Sequence, residues 1–229
     1  MKTLKFGEVE VEKISLNAYK LGNGKMSYTP MLDEMRLRFD LTPQGAVVRS
    51  NWGFETRYNL NPEKKPSFLG GPATSKTESL EMNVELSTEQ AAFITSLDLQ
   101  VSKEFAKNAK ANWHPAVRFV DSSIPMLKVR VQITGNDPTS LKVVDEGSFH
   151  KGAGWNFLQP WMAKTRDFGP SKAKLVLVAA RVWEMGGRAG ILFQAAEMTL
   201  MSVAKPRPQF ESAQDDEEEM MADFANEDV

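Results

Sequence analysis

The sequence predicts a mainly β protein: a closed or partly closed barrel with one long α-helix, followed by a disordered acidic C-terminal tail. Three observations predict it. Several short segments alternate apolar and polar residues, one stretch switches to helical spacing, and the chain beyond Pro206 and Pro208 turns strongly acidic.

Glu34 to Leu41 alternates charged and apolar residues without a break, which predicts a half-buried strand with Arg36 and Arg38 on the wet face. Pro43-Gln44-Gly45 is a turn, Val47 to Arg57 reads as a second strand, and residues 58–78 read as a loop rich in Pro and Gly. Leu80 to Leu86 alternates again. Ser87 with Gln90 forms a capping box, and Phe93, Leu97, Val101, Phe105 and Ala109 then recur at helical spacing to about Asn112. Met126 to Thr134 and Leu141 to Asp145 are the next strands, and residues 146–172 read as a long Gly- and aromatic-rich loop. Lys174–Trp183 and Ile191–Val203 form the last hairpin, turned by Gly186-Gly187. Gly22-Asn23-Gly24-Lys25 reads as another hairpin turn rather than a phosphate loop, since it lacks the length and the following helix. Many strands with one helix between them suggest an OB-fold-like barrel, a small fold that presents a face to oligonucleotides. The chain divides into a β extension of the same domain (1–45), the barrel (46–205) and the tail (206–229).

Charge supplies the first functional signal. The net charge of -2 conceals two opposite halves. Residues 211–229 hold nine acids and no Lys or Arg; taking those nine from the 30 acids leaves 21 against 28 basic residues, so the body is +7 and the tail -9. A basic body with an acidic appendage points to a polyanionic partner. Cysteine is absent and His114 and His150 are the only histidines, so thiolate zinc sites, iron–sulfur clusters and disulfides are excluded. No cofactor is implied. No apolar run is long enough to cross a bilayer, and the N-terminus lacks a signal peptide's apolar region, which suits a reducing, cytoplasmic setting. Nucleotide-binding and hydrolase motifs are missing, so no catalytic residue is assigned.

The second signal is the mixing of cations with rings. Single-strand binding needs cations for phosphates and flat apolar faces for unstacked bases. Arg49, Arg57, Lys128, Arg130, Lys174, Arg181 and Arg188 are the candidate phosphate contacts, and Trp52, Tyr58, Trp155 and Trp183 the candidate stacking rings. Alternation in 174–183 places Val176, Val178, Ala180 and Val182 toward the core and Leu177, Ala179, Arg181 and Trp183 on the other face. The tail is the third signal. Asp215, Asp216, Glu217, Glu218 and Glu219 precede Met220-Met221, then Asp223-Phe224, then Glu227-Asp228. Such an acidic peptide with apolar residues fits a basic pocket on a partner, or the protein's own groove in competition with DNA.

Four segments also carry a family resemblance. Leu80 to Asn112 is a strand leading directly into one long helix. Met126 to Gly147 is a strand pair that includes Leu141-Lys142-Val143-Val144-Asp145-Glu146-Gly147. Lys174-Leu175-Val176-Leu177-Val178 through Val182-Trp183 to Gly190 is a last hairpin, and Leu192 to Val203 then Gln214-Asp215-Asp216 is a final strand running into an acidic tail. In this pattern, over roughly residues 80–229, the chain resembles the replicative single-stranded DNA-binding proteins of short-tailed phages and their viral relatives. Trp183 falls where that family also has a tryptophan. The resemblance implies an OB-fold, binding without sequence preference in replication, recombination or repair, homodimers, and a tail that contacts DNA polymerase and helicase/primase. The family's tail ends on an aromatic residue, whereas here Val229 is last and Phe224 lies inside, and the first 45 residues have no counterpart. The alternatives are a protein-interaction adaptor or polymerase accessory factor with a DNA-mimicking tail, and a magnesium-dependent nuclease using Asp145 or Glu146.

Overall fold

A computed structural model describes residues 3–22, 24–41, 46–48, 79–120, 124–133, 137–145, 147–153, 157 and 171–202. Arg49, Trp52, Arg57, Tyr58, Trp155 and the tail residues Asp215 to Asp228 lie outside that set.

Alternation, where the sequence shows it, becomes strand. In chain order the strands are β1 (Leu4–Lys5), β2 (Ser15–Lys20), β3 (Met26–Leu32), β4 (Met35–Arg36), β5 (Arg38–Asp40), β6 (Ala46–Val48) and β7 (Ser79–Glu85). The helix α1 (Thr88–Ala106) follows. Then come β8 (Asn112–Trp113), β9 (Val117–Val120), β10 (Ile124–Gln132), β11 (Ser140–Asp145), β12 (Ser148–Gly152), β13 (Ser171–Met185) and β14 (Arg188–Ser202). The mainly β class with one long helix stands. β13 pairs with β6, β6 with β7 and β7 with β10, while β10 lies parallel to β14, which returns to β13. The β6–β7 link is the single pair Val48–Val84, so the barrel is not fully closed.

The capping box forms as expected: Gln90 N–H donates to Ser87 Oγ at 3.2 Å, and Gln90 Oε1 accepts from the Ser87 N–H at 2.8 Å. Gln90 also ties the helix start to the barrel by donating to the Leu41 carbonyl at 2.8 Å. Ile94, Leu97, Val101 and Phe105 form its buried stripe. The helix stops at Ala106, six residues short of the expected end, where Asn108 Nδ2 donates to the Glu104 carbonyl and the chain turns into β8. There Trp113 packs on Phe105 with ring centroids 5.6 Å apart.

Two parts of the sequence reading need correction. Residues 148–152, expected within a loop, are strand β12, paired to β11 from Asp145–Ser148 to Leu141–Gly152. The face assignment in β13 also fails at Val176, Leu177 and Ala179. Ala173, Leu175, Leu177 and Ala179 belong to the core cluster and Val176 does not, while Val178 and Ala180 are buried outside that cluster. The phase changes only at a bulge, where Ala179 pairs with Phe193 and Arg181 with Leu192, leaving Ala180 unpaired. Beyond it Val182 turns inward, and Arg181 and Trp183 point out as expected. The turn itself is as read: Gly186 and Gly187 have φ of 58° and 72°, the left-handed pair that a tight two-residue hairpin needs.

Core position decides how much each β13 side chain is worth. Leu177→Ala should cost about 2–5 kcal/mol of unfolding free energy, as for a fully buried leucine, and Val176→Ala clearly less. Urea unfolding of both variants measures the difference, and equal losses would contradict the face assignment.

Candidate nucleic-acid interface

Directly opposed strand residues share a sheet face, so the pairings draw the outer surface row by row. One row crosses four strands: Lys151 opposes Lys142, Lys142 opposes Thr199, and Thr199 opposes Lys174. Three lysines thus stand in line with strand spacings of about 4.8 Å. A second row runs Arg38, Val178, Gln194, Arg130. Arg181 opposes Leu192, and Lys128 opposes Asn83. Val176, Val178 and Leu192 give this face an apolar floor beneath the cations.

Of the candidate residues within the described set, Lys128, Lys174 and Arg181 are exposed on this face, and Arg130 and Trp183 are half-buried on it. Arg188 is exposed but stands apart. It pairs with Met185 at the hairpin tip and with Asn112 at the end of the helical region. Trp183 lies flat over Gly190, where a Cβ would come within 2.9 Å of both its ring and the His114 carbonyl, so only glycine fits there without displacement. The His114 ring meets its edge at 6.1 Å. Arg118 Nη2 sits 3.0 Å from His114 Nε2, and because a guanidinium has only donors, that nitrogen accepts.

Several residues that sequence reasoning left out also belong to the face. Arg36, Arg38, Lys142 and Lys151 join the cations. Phe149 opposes Val144 and is 62% exposed, on the same side as Lys151. Tyr19 is 41% exposed beside Ser27. Both rings sit in β strands, where an isolated aromatic reads as core, and no local signal marks them.

Carboxylates order the cations. Glu197 pairs with Arg38 and with Lys142 Nζ at 3.1 Å, and Arg36 reaches Asp137 at 3.7 Å. The hydrogen bond from Lys142 holds the Glu197 carboxyl below its ordinary value against partial burial, with the charges of Lys142 and Arg38 adding. Elsewhere, burial pushes the Asp98 carboxyl up, although the Ala116 N–H donates to it at 3.2 Å and the Trp113 indole lies near.

No protein-family profile and no curated protein matches the chain. Solved structures do. The single-stranded DNA-binding protein from bacteriophage Enc34 is similar at 10% identity and a TM-score of 0.41, over 90% of this chain and 99% of that one. The same protein in complex with single-stranded DNA gives 10% and 0.41, over 85% and 98%. Bacteriophage T7 gp2.5, a single-stranded DNA-binding protein, gives 14% and 0.36, over 66% and 84%. With TM-scores below 0.5, the functional reading of this chain rests on its own residues.

Glu197 gives a signed pH test. Because its folded pKa is depressed, the stability it contributes is present above the ordinary value of 4.5 and lost as pH falls through the folded value. At a 35% exposed side chain the contribution is small, about 0.2–1 kcal/mol. The stability difference between wild type and Glu197→Gln, followed by urea unfolding from pH 7 to pH 3, should therefore shift against the wild type below 4.5. A pH-independent difference would remove the assigned role.

Proposed function

We propose that this chain binds single-stranded DNA without sequence preference, on the outer face of β13, β14, β10 and β11, and serves DNA replication and recombination. One observation carries the reading: the row Lys151–Lys142–Thr199–Lys174, with Arg181 and the exposed rings Tyr19 and Phe149 on the same surface. Lysines at strand spacing suit a phosphate backbone, and rings on the same surface suit bases that are free to unstack. A duplex keeps its bases paired and gives such rings nothing to hold.

In this reading Arg49 and Arg57 supply further phosphate contacts, and Trp52, Tyr58 and Trp155 further rings for bases. The acidic tail is the recruiting element: residues 211–229 carry nine acids with Met220, Met221 and Phe224 among them, a composition suited to a basic, partly apolar pocket on a DNA polymerase or helicase/primase. The +7 body and -9 tail also allow the tail to occupy the groove when DNA is absent.

Salt decides between this and a protein-binding adaptor. Affinity for oligo-dT should fall steeply with salt, with a log–log slope of about -0.7 per neutralised phosphate. Lys142→Ala and Lys174→Ala should each make that slope shallower by about 0.7. Fluorescence anisotropy of a labelled oligo-dT measures it. Equal affinity for duplex of the same length, or insensitivity to salt, would remove the proposal.

A further inference from the structure

The N-terminal hairpin of β2 and β3 pairs onto β13 outside the circuit of barrel strands. Its register gives it more to do. Ala18 opposes Tyr28, and Tyr28 opposes Val182. Tyr28 and Val182 are buried, and Tyr28 packs edge-on to Phe105 of α1 at 5.3 Å. That row therefore faces the core. The neighbouring row lies on the other face: Tyr19, 41% exposed, opposes Ser27, which is itself buried beneath its neighbours, and extending the β3–β13 register by one residue places Trp183 beside Ser27. On the other side of the core-facing row, Asn17 opposes Thr29, and the same extension places Arg181 beside Thr29. Two rings on strands two apart thus flank one serine, with an arginine one row along.

We infer that Tyr19 and Trp183 form the walls of a subsite for one unpaired base, with Arg181 and Arg36 taking the adjoining phosphate. Two strand spacings separate the ring-bearing positions, about 9.5 Å. A base in contact with a ring on each side needs roughly 7 Å between ring planes, at ~3.5 Å per contact. Trp183 leans toward Gly190 and is braced by His114, away from Ser27, which leaves its inner side toward Tyr19. Ser27 Oγ donates to the Tyr19 hydroxyl at 3.1 Å and fixes the ring's position. The charges of Arg181 and Arg36 are both felt at the Tyr19 hydroxyl, after its hydrogen bonds to Ser27 and Thr29, so both guanidinium groups stand near it. Arg36 is oriented by the Ala180 carbonyl at 3.5 Å, on the bulge that also turns Arg181 outward. Aromatic side chains over the small, buried polar residues Ser27 and Thr29, with cations along one rim, match a nucleotide of a single strand better than they match a peptide, and a base enters between the rings as the Tyr19 ring lifts off Ser27. This inference rests on the single-strand reading above and assigns residues 15–32 a direct role in it.

The test uses the full chain and two labelled probes: oligo-dT, and the same strand with abasic sites in place of the thymines. Tyr19→Ala should weaken oligo-dT binding about fivefold or more, the worth of one base stack. Tyr19→Phe, which keeps the ring, should stay within about twofold. On the abasic strand the Tyr19→Ala penalty should vanish, while Arg181→Ala should weaken both probes alike. Wild-type affinity in Tyr19→Ala, or an equal loss on both probes, would overturn the subsite while leaving salt-dependent binding intact. Loss of single-strand preference in the wild type would overturn both readings. Should Tyr19→Ala lower the thermal midpoint, photocrosslinking of wild type to an iodouracil strand decides: adducts on the peptides holding Tyr19 or Trp183 support the subsite, and adducts on neither overturn it.

Discussion

The 15-residue strands β13 and β14 form one ladder, and the rest of the molecule depends on where that ladder slips. A strand places alternate residues on opposite faces, so a regular β13 would commit Ala173, Leu175, Leu177, Ala179, Arg181 and Trp183 to the same side. The first four are buried. An unpaired arginine sent in after them would cost several kcal/mol. The extra residue Ala180 prevents this by shifting the phase, so that Val182 fills the core and Arg181 and Trp183 reach solvent. On β14, Ala196 plays the same part. Phe193 and Ala195 lie inside on one side of it, Met198 and Leu200 on the other, and Glu197 and Thr199 turn outward. Two alanines, small enough to sit unpaired in a packed sheet, thus convert one apolar hairpin into a core on one face and a charged surface on the other.

That conversion explains what the sequence could and could not show. Strong local signals survive intact: the Ser87–Gln90 cap, the Gly186-Gly187 turn and the alternation around Leu37, Phe39 and Leu41, all buried as the pattern demands. Arg181 and Trp183 were placed on the correct side, but by an alternation that runs the wrong way through Leu177. A bulge is invisible to period counting because it belongs to the pairing, not to the strand. β12 escaped for a related reason: Ser148-Phe149-His150-Lys151-Gly152 has no apolar alternation to bury, since it borders the sheet with both faces largely exposed. Tyr19 was hidden likewise, in a strand whose residues are mostly exposed and whose pattern is not amphipathic.

Crowding this many cations on one face carries its own cost, and the carboxylates limit it. Glu197 lies between Arg38 and Lys142 and neutralises part of their mutual repulsion while fixing their side chains. A phosphate arriving at the same cations offers the same chemistry as the carboxylate. Binding then exchanges one anionic partner for another, instead of capturing free charge. Such an exchange moderates affinity and strengthens its dependence on competing anions. In the proposed reading it also favours rapid release and rebinding along a strand.

Geometry sets the scale of the contact. Along β13 the distance from Lys174 to Arg181 is seven residues, about 23 Å at strand rise. The lysine row lies across one end of that span, with Phe149 close by, and the Tyr19–Trp183 trough lies at the other. At the duplex rise of roughly 3.4 Å per nucleotide this span takes at most about seven nucleotides, and a strand unstacked onto rings takes fewer, toward the lower end of the about 4–16 that one OB-type barrel occupies. Rings at both ends, the lysine row at one of them and the Arg38–Val178–Gln194–Arg130 row between distribute the contact in a particular way. In the proposed single-strand reading, bases are gripped where the path enters and leaves, and the backbone is held between them by charge. The proposed sequence independence rests on this layout, because every base offers a flat face and every linkage the same phosphate.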